Sequence, residues 1–376
     1  MSAALAWRIL SHDKGRTALA VAGVFMAILL VFVQLGFFIA VPQGGMLLYD
    51  KLNFDLLIAS TGYEYQAQPG QFARSALDRA RTVPEVAEAA ALYFGQAKWR
   101  SGEDGKAPDV FVIGFDPRSR IFAVDGIDRQ AAVLERPDTV LVDSATRPMF
   151  GRLTKGRIVT IDSRIMTIGG DYVLGTGFMG LGVILVSEPN FVRLFPYRSL
   201  DQVNLGVVRL KPGADPAAAA GALRQALGSD IQVFSRAQLE RQETAYWTTR
   251  TSVGLLFGSG LLVAFVVGIM VVYQVLATQV SRQLPQVATL KAVGYRDRFF
   301  SATVVVMSLL IVLAGFVPAL FAAAGVYSVI REETLLPVTM TGARIGAVFV
   351  ATLFMAGFSA LLSMGGLRRA DPADIF

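Results

Sequence analysis

Four stretches of this chain contain no aspartate, glutamate, lysine or arginine: Thr17–Tyr49, Thr251–Ser281, Phe299–Ile330 and Ile345–Leu367. A bilayer is crossed by roughly 20 apolar residues, whereas a buried helix of a soluble domain rarely needs more than about 12 in a row. The runs therefore predict four transmembrane helices, near 18–41, 252–277, 302–329 and 344–365. The first is read as a retained helix. Its apolar core is about 24 residues, against about 7–15 for the core of a cleavable signal. The continuation Val41-Pro42-Gln43-Gly44-Gly45 offers no small-x-small cleavage site.

Only 17% of the chain is charged, against about 25% in soluble domains, and the charges are sorted by segment. Arg8, Lys14 and Arg16 face Asp13 before the first run. Arg282, Lys291, Arg296 and Arg298 face Asp297 between the second and third, and Arg368 and Arg369 face Asp371 and Asp374 at the end. These three segments carry +5 of the net +6, while 50–250 carries 24 basic and 23 acidic residues. Basic loops stay on the cytoplasmic side. Both termini and the second-to-third loop are thus placed inside, and the central block and the 331–343 loop outside. Tyr246 and Trp247 suit an aromatic belt at the outer interface. The pI of 9.6 follows from this topology. No basic patch with interleaved aromatics points to nucleic acid.

The expected division is an interfacial N-terminal helix at 1–16, a first membrane helix at 17–42 and an extracytoplasmic α+β domain at 43–250. The second membrane helix follows at 251–278, a cytoplasmic segment at 279–300, the third at 301–330, the outer loop at 331–343, the fourth at 344–366 and a cytoplasmic tail at 367–376. Within the outer block, Leu52–Ala59, Val86–Arg100, Val110–Phe115, Val203–Leu210 and Ile231–Phe234 read as strands. Gln71–Thr82 reads as a helix from its apolar spacing. Asp215–Leu227 reads as another, capped by Asp215 with Pro216 in its first turn. Two β-α-β-like units result, with a strand-rich insertion at about 118–200. Ser235–Thr249 is expected to run unbroken into the second membrane helix.

Several chemistries are missing. No G-x-x-x-x-G-K-[ST] loop is present to cradle phosphates, and there is no cysteine and one histidine, His12, so zinc or triad chemistry has no ligand set. No catalytic, cofactor-binding or metal residue is assigned. The membrane runs hold no ionisable group of the kind an ion-coupled carrier needs; Gln34 and Gln274 are expected to make interhelical hydrogen bonds. Gly254, Gly258 and Ser259 suit close helix packing, and Pro318 a kink.

The segment Leu284-Pro285-Gln286-Val287-Ala288-Thr289-Leu290-Lys291-Ala292-Val293-Gly294-Tyr295 suits a short helix opened by Pro285 and stopped by Gly294. Read alone, it is either a solvated basic loop or a docking helix. It resembles the cytoplasmic helix of the FtsX/MacB/LolC superfamily of ABC-transporter permeases. Within that superfamily the chain resembles the DevC-type permeases of DevBCA-like exporters. Leu5-Ala6-Trp7, His12-Asp13-Lys14, Gln34-Leu35-Gly36-Phe37, Gly114-Phe115-Asp116-Pro117 and Leu141-Val142-Asp143 carry the resemblance. So do Ser144-Ala145-Thr146-Arg147-Pro148, Leu210-Lys211-Pro212-Gly213-Ala214-Asp215, Thr289–Tyr295, Thr334-Leu335-Leu336-Pro337 and Ala370–Phe376.

The resemblance implies a multi-pass inner-membrane protein, a homodimer of permease chains with a separate ABC ATPase that holds the ATP and Mg. It implies an outer domain that engages a HlyD-type adaptor and a TolC-like channel, and a lipid-like or hydrophobic substrate. It assigns ATPase docking to Leu284, Pro285, Gln286, Val287, Thr289, Leu290, Lys291, Ala292, Gly294 and Tyr295. Gln286 stands where the family usually has glutamate. Competing expectations are an FtsX-like signal transmitter that activates a cell-wall enzyme, and a membrane sensor with a periplasmic ligand domain.

Overall fold

The computed structural model describes residues 2–12, 14–100, 107–124, 126–175, 180–292, 297–334 and 336–368. They form two compact units: Met1–Ala40 with Ser252–Glu333 and Val338–Phe376, and Val41–Thr251 with Thr334–Pro337.

The first unit is helical, built on α1 (Ser2–His12), α2 (Lys14–Asp50) and three C-terminal helices, Ser252–Ala292, Asp297–Thr334 and Gly342–Arg368. Among the described residues, four helices are long and apolar enough to cross a membrane, in Lys14–Asp50, Ser252–Arg282, Arg298–Glu333 and Gly342–Ser363. The first continues through Pro42 to Asp50, beyond the expected end at 42. Small residues set the helix spacing, as in lipid, where close packing replaces the hydrophobic drive. At Gly36 an added Cβ would lie 2.6 Å from the Tyr327 hydroxyl and 2.7 Å from its ring. That hydroxyl is held by donating to the Phe32 carbonyl, so the ring has nowhere to retreat. Gly36→Ala is therefore expected to destabilise this unit by about 1–3 kcal/mol. Thermal unfolding in detergent checks it against Gly325→Ala, whose methyl would meet open space; equal midpoints would refute it.

Besides the Tyr327 hydroxyl, serines supply interhelical hydrogen bonds. Ser308 Oγ donates to the Ala356 carbonyl and Ser359 Oγ to that of Ile269, both at 2.9 Å. Gln34, expected in this role, instead buries its Oε1 without a hydrogen-bond partner among the described residues, and Gln274 is exposed.

The second unit contains β1 (Leu56–Ser60), β2 (Phe72–Ala73), α3 (Ser75–Arg81), β3 (Val86–Arg100), β4 (Asp109–Phe115), α4 (Ala131–Leu134), β5 (Thr139–Asp143), β6 (Ile158–Ile161), β7 (Arg164–Tyr172), β8 (Val183–Ser187), α5 (Glu188–Leu194), β9 (Gln202–Val203), β10 (Leu205–Leu210), α6 (Pro216–Leu227), β11 (Ile231–Ser235) and α7 (Arg236–Ala245). The three C-terminal helices of the first unit are α8, α9 and α10. Nine strands form one sheet in the order β11-β1-β10-β3-β4-β8-β5-β7-β6. Its first four strands with α3 and α6 make a split β-α-β arrangement of ferredoxin-like type, the pair of units expected from sequence. The expected insertion supplies β5 to β8, but it joins the same sheet. The 15-residue β3 reaches past β10 and β4 to pair Trp99 with Ile161 and Arg100 with Thr160 of β6. Strands β3, β4, β8, β5, β7 and β6 therefore close into a ring.

Through β1, β10, β4, β8 and β5 both faces of the sheet are buried, which is why these strands read as apolar runs, whereas β6, β7 and the end of β3 alternate buried and exposed residues. On one face α3 and α6 bring Ala76, Leu77, Ala219 and Leu223 into one core with Ile58 and Ala91, and that core continues through Val112 and Val142 of the strand ring. On the other, Leu48, Tyr49 and Leu52 join Leu134 of α4 and Leu239 of α7 over Leu57, Ile113, Leu141 and Leu185. The α6 start is as expected: the Asp215 carboxylate accepts from the Ala217 and Ala218 N–H groups, with Pro216 in the first turn.

Candidate functional site

The predicted docking residues fall on the last turns of α8. The backbone from 284 to 292 continues that helix, so Pro285 does not open a separate one. One missing N–H costs a single helix bond, and Gln, Leu, Ala and Lys on either side favour the helix. Gly294 and Tyr295 lie outside the described residues, as do the side chains of 283–297 and the tail motif Ala370–Phe376.

In the outer unit the structure brings together a set that sequence reasoning missed, around the carboxylate of Glu243. Glu243 lies on α7 one turn after Leu239, and both are fully buried. The Tyr63 hydroxyl donates to Glu243 Oε1, and the Tyr49 and Tyr63 hydroxyls are 2.6 Å apart. Gly45 makes room for the set: a Cβ there would lie 2.6 Å from the Trp247 indole nitrogen and 3.0 Å from Glu243 Oε2. Burial pushes the Glu243 carboxyl up to about 7, against the opposing pull of the Tyr63 hydroxyl, the Gln66 backbone N–H and the Trp247 indole. Burial likewise holds the Tyr63 hydroxyl well above the usual phenol range. Such a carboxyl exchanges its proton near neutrality. Among the described residues there is no group of His, Cys, Asp or Glu that could hold a metal, so the set offers a buried acid and two hydroxyls. One signal could have found it: an acidic residue four places after Leu239, at a core position of an amphipathic helix.

The aromatic pair expected at the membrane interface is half-buried and packs on Tyr65. Tyr246 stacks on Tyr65 with centroids 4.3 Å apart, and Trp247 meets Tyr65 edge-on at 5.5 Å. After Ala245 the helix widens into a π-type turn, Tyr246–Arg250, and Thr251 is extended at φ −106° and ψ 150°. The unbroken helix expected from 235 into α8 is therefore interrupted. Thr248, Thr249 and Thr251 donate their hydroxyls to the carbonyls four residues back, at 2.6, 2.6 and 2.8 Å, a competition that loosens helical bonding. Single π turns of this kind recur at functional sites.

The comparisons with known proteins bear on what these pieces belong to. The family model described as MacB-like periplasmic core domain matches residues 17–226, and the one described as FtsX-like permease C-terminal matches 258–372. The first alone covers more than half of the chain. The chain belongs to the FtsX/MacB-like family of permeases. Permeases of this family are components of ABC transporters and work with an ATPase. The periplasmic region of MacB from Actinobacillus actinomycetemcomitans is similar over 50% of this chain and 92% of its own length, at 8% identity and TM-score 0.38. The extracellular domain of the ABC-type transporter YknZ from Gram-positive bacteria is similar over 48% of this chain and 99% of its own, at 14% identity and TM-score 0.35. No curated protein matches.

In this FtsX/MacB-like permease, several motifs singled out from sequence serve turns and joints of the outer unit. The fully buried Asp143 carboxylate accepts from the N–H groups of Ala145, Leu174 and Gly175 at 3.0, 3.2 and 2.8 Å, tying the end of β5 to the loop after β7. Burial raises its carboxyl and those three N–H groups restrain the rise. Asp116 caps a single turn by accepting from the Arg118 N–H at 3.0 Å.

Proposed function

We propose that this permease is the membrane subunit of a DevC-type ATP-driven exporter. In this reading two copies pair in the inner membrane with both termini in the cytoplasm. A separate ABC ATPase carrying ATP and Mg docks on 284–295, and a HlyD-type adaptor and TolC-like channel receive a lipid-like or hydrophobic substrate from the outer domain. The observation that carries the reading is the joint match to an outer core domain and an FtsX-like C-terminal half, in a sequence with no phosphate-binding loop of its own. In this reading the enzyme that closes on ATP is a separate chain, and the end of α8 with the residues that follow it bears the motif Thr289–Tyr295 that resembles the DevC-type permeases.

The test is the ATPase itself. Purified in gentle detergent, the chain is expected to bring down an ABC ATPase. Replacing Thr289–Lys291 with a Gly/Ser linker should reduce ATP turnover to that of the isolated ATPase while leaving membrane insertion intact. Turnover that survives the replacement refutes the docking assignment. An adaptor that co-purifies with the wild-type chain would support the export route, and its absence after cross-linking in cells would count against it.

A further inference from the structure

Among the described residues the nine-stranded sheet has one open side. At its far end β6 is paired on both flanks, by β7 and by β3. At the near end β11 has a single neighbour among the described residues, β1. An unpaired edge presents a row of N–H and C=O groups to any extended chain that comes alongside. The Val233 carbonyl accepts from Arg224 at 2.8 Å and the Ser235 N–H donates to the Gln238 side chain at 2.9 Å, both away from β1. Peptide groups alternate in direction along a strand, so Ile231, Val233 and Ser235 turn theirs outward. The strand, Ile231-Gln232-Val233-Phe234-Ser235, holds neither the lysine nor the proline that commonly blunts an edge.

This edge is the floor of an open groove of about 600 Å³. α6 packs on one face of the sheet and α7 on the other, and each contributes a wall. Arg224 stands on the α6 side and Arg241 on the α7 side, with amides from Gln238 and Gln242, and no carboxylate lines the groove. We propose that the groove takes an extended, acidic segment of a partner polypeptide, added as a further strand along β11 with its carboxylates on Arg224 and Arg241. Strand addition of this kind draws affinity from main-chain hydrogen bonds and specificity from the flanking side chains. A second copy of this chain suits the groove poorly, because pairing β11 with itself would bring two pairs of arginines together. The inference rests on the outer unit alone and stands whether or not the exporter reading holds.

The test uses the full chain in lipid nanodiscs and a fluorescent octapeptide alternating valine and glutamate, with a lysine-for-glutamate peptide beside it. Anisotropy is expected to show the glutamate peptide binding at least about tenfold more tightly than the lysine one, as two partly screened ion pairs allow. Arg224→Glu with Arg241→Glu should invert that order. Val233→Pro deletes an outward N–H at an edge position where proline is tolerated. It should weaken the peptide at least about fivefold, the loss of one net hydrogen bond. A thermal midpoint matching wild type shows that each variant is folded. Equal affinity for the two peptides overturns the proposal. So does unchanged binding in the double variant, or no binding up to about 1 mM, the weakest range of specific recognition. Self-association that the double variant abolishes would give the edge to a second copy and overturn it equally.

Discussion

Raising the pH from about 5 to about 8 is expected to destabilise the outer unit by about 3 kcal/mol through Glu243 alone, and Glu243→Gln to remove that share. The carboxyl titrates near 4.5 when free and at about 7 when buried beneath α7. Between those values the folded chain keeps a proton that the unfolded chain has released, so stability falls as pH rises through the window. Below it both states are protonated and the contribution is level; above it the loss is complete. For a unit of this size the effect corresponds to a drop of about 6–12 °C in thermal midpoint. Asp143 is raised by burial as well, with the same sign for stability as pH rises above the free carboxylate range. In Glu243→Gln the amide keeps an acceptor for the Tyr63 hydroxyl, and the variant is expected to be more stable than wild type at pH 8. A wild-type midpoint that climbs steadily from pH 5 to pH 8 would show that the carboxyl is not held protonated.

The second large effect is expected at Asn190. Its Oδ1 accepts from the Asp138 N–H at 3.0 Å, and its Nδ2 donates towards the carbonyls of Leu134, Arg136 and Thr139 at 3.2, 2.8 and 3.2 Å. The side chain is 1% exposed, so no water replaces it. Asn190→Ala leaves a buried donor and several buried acceptors unpaired, at a cost of about 3 kcal/mol or more. Asn190→Asp should be at least as damaging, since a carboxylate would face three carbonyl oxygens with no proton to offer. Amide hydrogen exchange should localise the loss, with Asp138 and the strand β5 losing protection first. Protection in β5 that matches wild type in both variants would refute the assignment.

Much of this architecture is legible in the sequence, for local reasons. The bounds of the strand Val86–Arg100 are legible because proline and a turn cluster flank it, and the start of α6 because Asp215 and Pro216 mark it. The apolar runs announce four helices, since no other arrangement buries so many uncharged residues in sequence. What was not legible is long-range. Nothing local tells that Trp99 finds Ile161, or that the segment after β4 joins the existing sheet. Glu243 escaped notice because the burial of a carboxylate depends on which face α7 turns inward, a matter decided by Leu239 and by Tyr63, 180 residues away. The interruption at Thr251 carries no proline or glycine and arises from threonine hydroxyls, whose preference for backbone carbonyls is a weak sequence signal. Gln34 and Gln274 are expected to bridge helices on polarity alone, whereas hydroxyls of Ser308, Ser359 and Tyr327 make bonds between helices.

The strand ring changes what part of the outer unit can be regarded as separable. Because β3 serves both the β-α-β sheet and the ring, residues 139–187 are not a module clipped onto a finished domain. Removing them would strip β4 of its outer neighbour and leave Trp99 and Arg100 at the end of β3 without their partners in β6, baring two new sheet margins at once. A lineage that trims this region has to shorten β3 in step or find new cover for both margins, so the length of that one strand records whether the ring is present.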